Sequence, residues 1–134
     1  MRTFVAGLAV LASSIGSIAF AESHLVPTLE REFDVCQDRP SQPQFVTDLA
    51  DDEPNKARLL QQVYRAEGMQ RIVDANECSC ETRFPTWDAA EAVYLERFST
   101  ADRNELREAI SAFRRTANEL RRIAKPICEQ AGNW

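Results

Sequence analysis

Four cysteines, one close pair and two distant partners, limit what this chain can fold into. Cys78 and Cys80 stand in the run Glu77-Cys78-Ser79-Cys80-Glu81, with Cys36 far upstream and Cys128 far downstream. Four cysteines allow three pairings. In two of them Cys78 and Cys80 reach separately to Cys36 and Cys128, closing loops of 42 to 50 residues. Each such bridge is worth about 4 kcal/mol in the chain-entropy account. If residues 78–80 are extended, both sulfurs leave the same side of the chain and pin two remote segments to one connector. The third pairing joins Cys78 to Cys80 in a tight, easily reduced ring, and it would suit thiol–disulfide exchange. The local charges oppose that use. Glu77 and Glu81 would raise a thiol pKa, and only Arg83 lies close by to counter them. The expectation is two scaffold disulfides whose choice between Cys78 and Cys80 stays open.

A disulfide framework needs an oxidising compartment, and the first residues supply a route to one. Arg2, the apolar run from Phe4 to Ala12 and the Ala19-Phe20-Ala21 cleavage pattern read as a signal peptide over residues 1–21. A membrane anchor over Phe4 to Ala21 is the rival, but Ser13, Ser14, Gly16 and Ser17 dilute it. The mature chain is then expected to be periplasmic or secreted. It spans residues 22–134 as one domain, with no stable membrane insertion.

Without Arg2 the mature chain carries 15 basic and 21 acidic residues, a net charge of −6 with His24 neutral. That balance argues against a nucleic-acid partner, which needs a concentrated positive face.

Periodicity predicts an all-α fold, an irregular four-helix bundle. The first helix is expected to start near Pro27, to carry Leu29, Phe33 and Cys36 on one face, and to end before Pro40. Gln44 to Glu53 is ambiguous between a helical turn and an extended segment. The second helix is expected over Pro54–Asp74, with Leu59, Leu60, Val63, Ala66, Ile72 and Val73 inward, and Gly68 as a candidate kink or break. The third runs from a Thr86 cap to Phe98, burying Trp87, Ala90, Val93 and Tyr94. The fourth runs from a Ser99 or Thr100 cap to Lys125 and stops at Pro126. Its Leu106, Ile110, Phe113, Ala117, Leu120, Ala124 and Ile127 form a heptad seam. Glu129 to Trp134 reads as a frayed tail, with Trp134 as either disordered or a docking residue.

No catalytic constellation emerges. The chain has one histidine, His24, placed in the loose N-terminal end, and no G-x-S-x-G, phosphate-cradling glycine loop or dinucleotide fingerprint. Zinc sites of four cysteines come as two close pairs, and here only one exists, so no metal and no cofactor is expected. The C-terminal half of the fourth helix is basic within an acidic chain. Dipole compensation and pairing with neighbouring acids is the plain explanation. The sharper one is that Arg114, Arg115, Arg121 and Arg122 dock a protein with an acidic surface, with Trp87 as a half-exposed anchor. The leading functional expectation is a non-enzymatic exported binding or envelope accessory module. The alternatives are thiol–disulfide exchange at Cys78-Ser79-Cys80 and an acid-stress chaperone or inhibitor.

Overall fold

The computed structural model describes residues 36–134, so the signal peptide, His24 and the body of the first expected helix lie outside the described residues. Cys36 opens the described chain in a turn rather than in a helix. Five helices follow: α1 (Gln44–Asp52), α2 (Pro54–Ala75), the single turn α3 (Cys80–Arg83), α4 (Asp88–Arg97) and α5 (Arg103–Ala131). No strand occurs among the described residues. The fold is an all-α bundle of four longer helices and one short turn, stapled by two disulfides.

The bundle is built around α2. Each of the other four helices packs against it, and the α2–α5 contact is the most extensive. The reason lies in the pattern of α2. Leu59 and Leu60 are both fully buried, although adjacent residues of a helix point about 100° apart. Together with Ala57, Val63, Ala66 and Ile72 they give α2 apolar surface on more than one side. α5 is the opposite case, a one-sided helix whose seam buries Leu106, Ala109, Ala117, Ala124 and Cys128. The heptad residues Ile110, Phe113, Leu120 and Ile127 flank that line at half-burial. Small side chains at 109, 117 and 124 let α5 lie close along α2.

Two cores result. The larger joins α1, α2, α4 and the first half of α5 through Val46, Leu59, Leu60, Val63, Ala90, Tyr94 and Leu106. Phe98 and Phe113 close it with an edge-to-face contact at 6.2 Å. The smaller lies at the far end of α2 and α5 and centres on Ile72, Ala124 and the Cys78–Cys128 bridge.

Several expectations are revised. Gly68 does not break the helix: α2 runs continuously for 22 residues. Residues 44–52 resolve as helix, ending where Glu53 and Pro54 start α2. The Thr86 cap is replaced by Trp87, with the Thr86 hydroxyl donating instead to Asp88 Oδ2. α5 starts at a capping box, Asp102 accepting from the amides of Asn104 and Glu105 while Glu105 accepts from the Asp102 amide. It also continues through Pro126 to Gly132, whose φ of +73° closes the helix in the left-handed conformation open to glycine.

Candidate interaction surface and the stapled connector

The connector between α2 and α4 is positioned first by α2. Asn76 turns the chain in the left-handed conformation at the end of that helix. The Glu77 carboxylate then accepts from the Ser79 amide at 3.0 Å and the Thr82 hydroxyl at 2.9 Å. Hydrogen bonding from the Ser79 side chain, then the Thr82 hydroxyl and then the Ser79 amide, holds the Glu77 carboxyl below the usual carboxylate range. Ser79 is extended and caps α3 by accepting from the Thr82 amide. Glu77 therefore organises the connector and does not simply flank the cysteines.

Within this frame Cys36 bonds Cys80 across a Cα–Cα distance of 5.6 Å, and Cys78 bonds Cys128 across 5.0 Å. The Cys78–Cys80 ring is not formed, and all four cysteines are used. The sulfur of Cys78 is out of reach of solvent reagents, its residue being 2% exposed. Neither sequence periodicity nor spacing distinguished the two long-range pairings. The choice follows from α3: Cys80 begins a new helical turn that points back to the segment at 36, while Cys78 precedes it and faces α5.

Arg83 is the functional-looking residue that sequence reasoning missed. It is 2% exposed, its guanidinium donates to the Asn133 carbonyl, and it lies over the rings of Phe84 at 5.0 Å and Trp134 at 4.8 Å. Arg121 covers Trp134 at 5.0 Å, so the indole sits within cation–π distance of two guanidinium groups. The Asn133 side chain donates to the Cys78 carbonyl. Residues 133–134 are thus docked, correcting the expected frayed tail. The signal available in the sequence was the Gly132 helix stop followed by two residues able to make polar and aromatic contacts.

The predicted site residues separate into three groups. Trp87 stacks face to face on Tyr64, with centroids 4.0 Å apart, and its indole nitrogen is buried. Arg121 belongs to the docked tail. Arg114, Arg115 and Arg122 stand exposed, and none makes a hydrogen bond or ion pair with the described residues. Arg114 and Arg115 recur as Arg121 and Arg122 one heptad on, about 10 Å along the helix axis. Arg115 and Arg122 lie opposite the buried seam, and Arg114 and Arg121 lie on one flank. Glu119 is the single carboxylate between them, and it forms no salt bridge with the described residues. Ile123, beside Arg122, is 54% exposed. The surface therefore offers several unneutralised guanidinium forks, with the solvent-facing Ile123 beside Arg122 on the flank away from Arg114.

No family model matches this chain, and no curated protein or solved structure does either.

Proposed function

We propose that this protein is a non-enzymatic, exported binding or accessory module whose basic α5 face docks a protein with an acidic surface. The observation that carries this reading is the array on α5. In a chain with 21 acidic residues, Arg114, Arg115 and Arg122 make no internal ion pair among the described residues. Pairing with neighbouring acids was the plain explanation of these charges, and it accounts for Lys125 with Glu129, not for the arginines. Guanidinium groups left in water cost nothing to keep there, yet their planar forks match carboxylates two bonds at a time. Ile123 adds the apolar contact that charge alone lacks.

The two bridges support export, since such bonds persist in oxidising compartments. They also support a binding role over exchange chemistry, because both central cysteines are committed to long-range staples. The route is the signal over residues 1–21, leaving residues 22–134 as the mature domain in the periplasm or medium.

Crosslinking and co-purification from the envelope of the producing cell tests the reading. The wild-type chain should return one stoichiometric partner, released by raised salt. The Arg114→Glu, Arg115→Glu, Arg122→Glu variant should lose it while keeping its helical CD spectrum. Recovery of monomer alone from the wild type, under several crosslinkers, overturns the proposal.

A further inference from the structure

A cavity of about 280 Å³ lies between α2, the connector and the docked tail. Its walls divide cleanly. Tyr64, Met69, Phe84 and Trp134 are the apolar part, Arg65, Arg83 and Arg121 are the cationic part, and no Asp or Glu side chain lines it. We propose that this cavity binds an organic carboxylate carrying a compact apolar body.

Size sets the first limit. The space equals about nine water volumes, at the small end for ligand clefts, and admits one side-chain-sized group. Charge sets the second. Arg65 commits one N–H to Asn118 Oδ1 at 3.0 Å, and a guanidinium carries five. Arg121 lies over Trp134 with its Cζ 5.0 Å from the ring centroid, and none of its N–H groups is taken up by a hydrogen bond or ion pair with the described residues. Arg83 is held beneath by the Asn133 carbonyl and adds positive charge to the floor. Arg65 on α2 and Arg121 on α5 therefore bring two guanidinium groups from different helices to one cavity.

The walls set the third limit. The Tyr64 hydroxyl already donates to the Pro85 carbonyl at 2.9 Å, and its ring stacks on Trp87, so it acts as a fixed apolar face. Trp134 is fixed by the two guanidinium groups and by its neighbour Asn133, tied to Cys78. A site whose walls are already ordered loses little freedom on binding. Inorganic phosphate would satisfy the forks and leave the aromatic walls wet. A carboxylate on an aromatic or branched aliphatic group satisfies both.

Two sources share that chemistry, a free small acid and the last residue of a peptide. Isothermal titration, with tryptophan fluorescence as a second readout, separates them using 3-phenylpropionate, an acetylated tetrapeptide ending in phenylalanine, the same peptide amidated, and acetate. Saturable binding of the free acid alone places a small molecule in the cavity. Binding of the peptide acid as well places a chain end there. In either case the amide and acetate should bind at least tenfold more weakly. Arg65→Gln should cost a similar factor, with Arg65→Lys, which keeps the charge and loses the fork, in between. Arg114 and Arg115 do not line the cavity, so Arg114→Gln with Arg115→Gln should change nothing here. Their effect on partner capture is read separately. The proposal fails if neither acid gives saturable binding. It fails equally if the amide or acetate matches the acid, or if folded Arg65→Gln and Arg65→Lys both keep wild-type affinity.

Discussion

A Cβ built on Gly68 would stand 2.6 Å from the carbonyl oxygen of Arg83. The glycine is there for close approach: it lets the connector carrying Arg83 lie directly on α2. Helix propensity alone favours Gly68→Ala by about 1 kcal/mol. Here the backbone carbonyl must move, and overpacking of this kind costs about 1–3 kcal/mol. Gly68→Ala should lower the denaturant midpoint; a stabilised variant would show that the connector yields freely. In the sequence this glycine looked like a kink because its neighbour across space is fifteen residues on and leaves no local trace.

Charge at single residues gives a second expectation. The amides of Glu105 and Asn104 hold the Asp102 carboxyl below its ordinary range, as the Ser79 and Thr82 groups hold Glu77. A depressed carboxylate contributes stability that is complete above its unfolded pKa and is lost as pH falls through its folded one. Asp102→Ala should therefore destabilise the protein at neutral pH, and its difference from wild type should shrink in strong acid. Equal differences at both extremes, read from urea midpoints, would mean the cap does not work through its charge. The Asp102-x-x-Glu105 pattern carries this cap in the sequence, and it prevails over the hydroxyls at 99 and 100 because Glu105 returns a bond to the Asp102 amide.

Among the elements, α5 shows most clearly how tertiary contacts override a local rule. Pro126 removes the hydrogen bond to the Arg122 carbonyl and ordinarily costs about 3 kcal/mol inside a helix. The last turn persists because the Cys78–Cys128 bridge holds it, Ile127 packs into the smaller core, and the Asn133 amide returns to the Cys128 carbonyl. Ile127 and Cys128 follow Pro126 directly, but the partners they pack on and bond to lie about fifty residues upstream, so a sequence reading stops the helix there. The seam upstream, from Leu106 to Ala124, was legible because it depends only on spacing. Cys78→Ser with Cys128→Ser should speed amide exchange in residues 127–131 and shift Trp134 fluorescence to the red. Amides from Leu106 to Ala117 should keep their relative protection. Unchanged exchange after Pro126 would mean that packing alone carries the last turn.

The whole molecule is a hub helix with its surroundings tied on at one end. α2 touches every other described helix, and the two bridges gather the segment at Cys36 and the end of α5 onto the same connector. Loops of 44 and 50 residues make each bridge worth about 4 kcal/mol in the chain-entropy account. That is comparable, for the pair, with the 5–15 kcal/mol of an ordinary domain. Fold class, the α2 span, the α5 seam and the stapling of one connector to two remote segments were all readable from cysteine spacing and apolar periodicity. The partner of each cysteine was not, because it depends on where α3 begins. The burial of Arg83 and the docking of Trp134 were not readable either. Both rest on contacts about fifty residues apart in sequence, and no periodic pattern carries them.

The scaffold role of the connector is tested most directly by a non-reducing peptide map of the mature protein across a glutathione redox series. Peptides joined as Cys36–Cys80 and Cys78–Cys128, persisting to strongly reducing poise, are the predicted result. Recovery of a Cys78–Cys80 link that opens at an oxidising potential would contradict it, and would move the connector from staple to exchange site.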